Sequence, residues 1–181
     1  TNGEEVAGYF EGIPVSVAIG DNQASVFSTI KNEAESIVVN YGTGSQVSAV
    51  TVIYTETDDF EIRPYINGKY LLNYSALCGG KAYAILEKFF KNMAIALGLE
   101  ENSHYELMNT LAEKALETKD LPTVNTLFCG TRKNPSLKGS ITNIGEFNFT
   151  PENLTLGFLQ GMVTELYENY CTMKLEGINQ V

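Results

Sequence analysis

Asp21 sits between a short apolar run, Pro14-Val15-Ser16-Val17-Ala18-Ile19, and a stretch whose apolar residues recur at helical spacing, with Gly20 allowing the sharp turn between them. Asp is a favoured helix N-cap, because its short carboxylate accepts an orphan N–H of the first turn. The same place, the end of a strand at a sheet rim, is where ligands of open α/β sheets bind. A carboxylate held there can take a proton from a substrate hydroxyl. A lone pair committed to capping is a poorer base, so the two roles compete.

Gly42-Thr43-Gly44-Ser45 separates the apolar runs Ile37–Tyr41 and Gln46–Val50. Glycine supplies the positive φ of a plain hairpin turn, and it also lets another group approach the backbone. Consecutive backbone N–H groups with two hydroxyls suit a phosphate. Both readings stand on the tetrapeptide alone. Gly79-Gly80, after a strand and before a helical pattern, is either a tight strand-to-helix turn or a second contact for a phosphate or sugar edge. The single His104 lies inside a Ser103–Glu106 capping box with no Cys or Asp beside it and reads as a surface residue. Arg132, Lys133 and Lys138 are the basic cluster, a solvated loop or an attractor for a phosphorylated ligand.

The elements that must position these residues follow from the same sequence. A strand through Ile19 is followed by a helix after Asp21, then by a hairpin of Ser36–Tyr41 and Gln46–Ile53. A second hairpin turns at Asn67-Gly68 and returns through Tyr70–Tyr74. From Gly79 a helix with Tyr83, Leu86, Phe89, Phe90, Met93 and Leu97 on one face ends near Gly98. Another starts at Ser103 and carries Leu107, Leu111 and Leu116 towards Pro122. After a short strand and the basic loop, a last helix opens with Thr150 as N-cap and Pro151 at the first helical position. This order is that of a layered α/β or α+β domain.

The chain has 181 residues, 44% of them hydrophobic and 19% charged, which suits one well-buried domain. Twelve basic against 22 acidic residues give a formal charge of −10, which repels nucleic acid backbones. No apolar run approaches the roughly 20 residues that span a bilayer, and the first ten residues lack the pattern of a secretory signal. Cys78, Cys129 and Cys171 are odd in number and far apart, so neither a zinc site nor a disulfide framework is expected and a reducing cytoplasm fits. Neither nucleic acid nor membrane is expected as a partner.

GIPVSVAIGDNQASVFSTI, NYGTGSQVS and RPYINGKYLLNYSALCGGKAYAILEKF follow one another in the order and spacing found in carbohydrate kinases of the FGGY family. LFCGTRKNPSLKGSI and NLTLGFLQGMVTELYENY resemble its downstream elements, so the likeness covers nearly the whole chain. The resemblance implies an α/β fold of the actin-like ATPase (ribonuclease H-like) class, with a mixed sheet flanked by helices. It implies that residues 1–181 are a truncated C-terminal, nucleotide-binding domain of a two-domain kinase, residues 1–20 continuing from an N-terminal domain. ATP and Mg are the implied cofactors, and a sedoheptulose-like ketose the implied substrate.

By the same resemblance Asp21 is the catalytic base and touches the sugar with Asn22, while Gly42, Thr43 and Gly44 face the phosphates and Gly79 lies near the nucleotide. No metal ligand is implied. Turnover is expected of the longer parent and not of this chain alone, and an apolar sheet edge left without its neighbour is expected to favour a homodimer or looser self-association. The competing expectation is a non-catalytic actin-like domain that binds nucleotide or a partner protein.

Overall fold

Two strands joined by a tight turn open the chain in this computed structural model, which describes residues 5–100 and 102–181. Val6–Phe10 (β1) and Ile13–Ser16 (β2) pair antiparallel, with Phe10 opposite Ile13 across Glu11 (φ 48°) and Gly12 (φ 82°). The expected strand through Ile19 therefore stops at Ser16, and it belongs to a separate two-stranded ribbon. The helix α1 then spans Asp21–Thr29. Gly20 is its N-cap and no side chain caps it, so the N-cap reading of Asp21 is corrected: Asp21 is the first helical residue.

The described residues fall into two units, the first made of the residues through Asn40 with Gln46–Ser75 and Glu168–Val181. At its centre Ile37–Tyr41 (β3), Ser45–Thr51 (β4), Glu61–Pro64 (β5) and Tyr70–Ala76 (β6) form a sheet in the order β3-β4-β6-β5. The β5–β6 pair is antiparallel and turns at Asn67 (φ 56°) and Gly68 (φ 69°), as the Asn-Gly pair requires. Successive residues feed two cores. Val50 and Leu71 pack with Val26 of α1, whereas Val47, Ala49 and Leu72 pack with Ile37 and Met173. A strand covered on both faces loses the polar alternation of a half-solvated one, which explains the buried run in β4. The buried Ser48 hydroxyl and Asn73 Oδ1, 2.8 Å apart, satisfy each other inside the sheet. Beside β3 the tail pairs in parallel at Ser36 and Gln180, the Ile37 N–H donating to the Gln180 carbonyl at 3.1 Å.

The second unit comprises Tyr41–Ser45 and Ala76–Tyr167. It holds the helix Gly80–Ala96 (α2), which ends before Gly98 (φ 76°), the helix Tyr105–Lys114 (α3), the antiparallel strands Thr123–Asn125 (β7) and Ser140–Thr142 (β8), and most of the helix Pro151–Thr172 (α4). Its core joins Cys78, Ala82, Leu86, Met108, Val124, Leu154 and Phe158. The expected apolar face of α2 is only half used: Leu86 is buried and Tyr83 and Phe90 pack on the core, while Phe89, Met93 and Leu97 are exposed. On α3 the buried face is Met108, Leu111 and Ala112, with Leu107 and Leu116 outside. The Ser103–Glu106 capping box does not form, because the helix begins at Tyr105 and the His104 N–H donates to Glu87 of α2 instead. At α4 Thr150 does cap, its Oγ1 accepting the Asn153 N–H at 3.3 Å.

Candidate functional site

In the first unit the head of α1 carries Asp21 and Asn22. Asp21 is exposed, and its Oδ1 accepts the backbone N–H of Asn22 at 2.7 Å. Asn22 turns its Nδ2 to Gln46 Oε1 of β4 at 3.0 Å, and its Oδ1 is buried without a partner among the described residues. Gln23 Nε2 donates to the Pro64 carbonyl of β5 at 3.3 Å. The first turn of α1 is thus tied by side-chain amides to two strands of the sheet. This differs from a carboxylate carried at the end of its own strand, and the reason is that β2 pairs away from the sheet.

In the second unit the structure brings Gly42, Thr43, Gly44 and Gly79 together. Neither Gly42 nor Gly44 has a positive φ, so the turn does not use glycine's access to the left-handed region. It uses its lack of a side chain. A Cβ on Gly44 would stand 2.9 Å from the Ala76 carbonyl oxygen, and one on Gly80 2.7 Å from that of Gly42. A Cβ on Gly79 would overlap the Ser45 hydroxyl and come within 2.7 Å of the Gly44 carbonyl carbon and the Ser45 nitrogen. The turn is seated on the start of α2, where Gly80 N–H donates to Gly42 O at 2.8 Å and Lys81 N–H to Thr43 O at 3.1 Å.

These bonds decide where an anion could be held. A helix start offers orphan N–H groups, and α2 has no side-chain cap, but two of those groups already serve the turn's carbonyls. Gly79 is itself buried. The accessible part is the turn, where Gly42, Thr43 and Gly44 are all exposed. Beneath it Ser45 Oγ is buried without a hydrogen-bond partner among the described residues.

Next to Gly79, Cys78 is buried against Cys129, which its sequence distance hid. Burial first, and a hydrogen bond with Cys129 second, push the Cys78 thiol from 9.0 up to about 12, with Lys81 opposing. Tyr41, at the entry of the turn, donates to the Met162 carbonyl at 3.3 Å and is raised above its ordinary range by burial and by the Glu165 carboxylate. Thr126 in turn donates to Glu165 Oε2 at 2.7 Å. His104 is half-buried, its Nε2 enclosed and without a partner among the described residues, so its reading as a plain surface residue is corrected; the Glu87 carboxylate that draws its backbone in lies on another helix. Lys133 and Lys138 are exposed in the loop that joins β7 and β8. Among the described residues no three His, Cys, Asp or Glu side chains are grouped to hold a metal ion, and no helix is long and apolar enough to cross a membrane.

No family model matches the chain. It is 27% identical over 183 residues to sedoheptulokinase from Homo sapiens, an overlap that takes in 94% of this chain and 37% of that protein. Sedoheptulokinase from Mus musculus is 28% identical over 167 residues. Among solved structures, xylulose kinase from Rhodospirillum rubrum superposes with a TM-score of 0.76 at 17% identity, covering 93% of this chain and 34% of that one. The chain thus spans about a third of the length of these relatives. In sequence and in fold it is similar to the carbohydrate kinases of the FGGY family, and its architecture is that of the actin-like ATPase class to which they belong.

Proposed function

We propose that this chain is the C-terminal, nucleotide-binding portion of a two-domain kinase that transfers a phosphoryl group from ATP to a hydroxyl of a ketose, sedoheptulose or a close relative, in the cytoplasm. The observation that carries the proposal is Asp21. It is an exposed carboxylate at the head of a helix, with one oxygen engaged by the adjoining backbone N–H and the helix pinned behind it. Such a group can hold a sugar hydroxyl by accepting its proton as the oxygen becomes a nucleophile. Asn22, beside Asp21 on the first turn of α1, is assigned to the same substrate.

The ATP phosphates are assigned to the exposed turn of Gly42, Thr43 and Gly44, where no side chain obstructs the backbone and Thr43 adds a hydroxyl. Gly79 contributes by letting that turn sit on α2. ATP supplies the phosphoryl group when bound, and phosphoryl transfer relies on positioning and charge neutralisation more than on covalent chemistry. Mg²⁺ would accompany the ATP phosphates, and no residue of this chain is assigned to it. Residues 1–20 are assigned to the passage from an N-terminal domain; the first four lie outside the described residues.

A coupled ADP-release assay with Mg-ATP and sedoheptulose tests the proposal. The complete kinase should release ADP only when sugar is present, and this chain alone should not. Sugar-dependent turnover by the isolated chain would contradict the division of labour, and nucleotide binding without turnover by the complete protein would favour a non-catalytic actin-like domain.

A further inference from the structure

The strand before Asp21 does not hold it, because β2 ends at Ser16 and, among the described residues, pairs with β1 alone. Val26, 1% exposed, anchors the middle of α1 in the core. Ile19 packs against the same core, and two amide bonds tie the first turn to the sheet, Asn22 Nδ2 to Gln46 Oε1 at 3.0 Å and Gln23 Nε2 to the Pro64 carbonyl at 3.3 Å. The first is shorter and half-buried, and it joins two side chains that are both tethered to fixed backbone. Gln46 also follows directly on Ser45 in sequence.

We infer that Gln46 is a positioning residue: its Oε1 fixes the Asn22 amide and, through the Asn22 backbone N–H that Asp21 Oδ1 accepts, the direction of the Asp21 carboxylate. The inference rests on the kinase reading for its consequence, and on the geometry alone for its existence. With Gln46 Oε1 removed, both polar atoms of the Asn22 amide would lack partners among the described residues, since Oδ1 has none already. A half-buried amide in that state swings towards water or towards its own backbone, and competes for the bond that orients Asp21. A base displaced by a fraction of an ångström loses rate before it loses binding.

Two substitutions separate this from a packing role. Gln46→Met keeps the length and removes the acceptor, while Gln46→Glu keeps an acceptor oxygen in the same place. In the complete kinase Gln46→Met should lower kcat about tenfold or more with the KM for ATP within about twofold, and Gln46→Glu should restore most of the rate. In this chain by itself, hydrogen exchange at the Asn22 side-chain amide, read by NMR, should be slow in the wild type and in Gln46→Glu and fast in Gln46→Met. If the wild-type complete protein shows no sugar-dependent ADP release, the kinase reading fails, and the exchange measurement still decides the bond. Equal kcat in the Met and Glu variants of an active enzyme, or unchanged Asn22 exchange in Gln46→Met, would overturn the inference.

Discussion

Gly80 donates its N–H to the carbonyl of Gly42 at 2.8 Å, so the turn Gly42–Gly44 serves as the cap of the helix that begins beside it. The carbonyls of Gly42 and Thr43 satisfy two orphan donors of α2 where no side chain does, and the glycines on both partners make the approach possible. The turn is thereby tied to the start of α2, with Gly42, Thr43 and Gly44 exposed.

Replacing Gly79 by Ala should test that seating. The new Cβ would collide with Ser45 and the Gly44 backbone, and overpacking of this kind destabilises by about 1–3 kcal/mol. For a chain of this size the thermal midpoint should fall by roughly 3–10 °C. Gly8→Ala, whose Cβ would meet nothing within 4 Å, should leave it unchanged and serves as the control. Equal midpoints for the two variants would mean that the turn is not seated as described.

How far the sequence was legible follows from which signals are local. Asn67-Gly68 needs its own positive φ values, and Thr150 reaches the amide three residues on; both are read from adjacent residues and both are found. The role of Gly42, Gly44, Gly79 and Gly80 is a contact between distant segments, so the tetrapeptide left turn and phosphate readings open and did not suggest the helix start as the approaching group. The same limit explains Ser103 and Glu106, a good capping pair by spacing that loses to Glu87 on α2. It explains Asp21 as well: an apolar run before a helix reads as a strand of the main sheet, and pairing of β2 with β1 is invisible without the partner.

Thr43 should separate binding from stability. Its side chain is exposed, so Thr43→Ala should leave the thermal midpoint within about 2 °C. A hydrogen bond to a charged phosphate is worth roughly 1.5–3 kcal/mol, so the KM for ATP in the complete kinase should rise about tenfold or more. An unchanged KM would remove the hydroxyl from the phosphate site.

Stability should decline in alkali. Cys78 is raised from 9.0 to about 12 and Tyr65 from 10.0 to about 12, in both cases by burial first. The folded state holds these protons more tightly than the unfolded state, so their contribution is complete below about pH 9 and is lost as the pH rises towards 12. Urea midpoints measured at pH 8 and pH 11 should fall between the two; a flat profile would mean that neither group is buried as described.

The ribbon β1–β2 exposes Tyr9, Phe10 and Ile13 at 73%, 67% and 65%. Large apolar side chains grouped on a short two-stranded ribbon favour association. Light scattering on this chain should show self-association that Phe10→Ser with Ile13→Ser reduces. A monomer at all concentrations in the unsubstituted chain would count against it.

The most direct test of the kinase reading is the turnover of the complete protein carrying Asp21→Asn, which keeps the size of the side chain and removes the base. With the fold intact by its thermal midpoint, kcat for sugar-dependent ADP release should fall by about 10²–10⁴, and the KM for ATP should stay near its original value. A kcat within a few fold of the unsubstituted enzyme would contradict the assignment of Asp21 as the catalytic base.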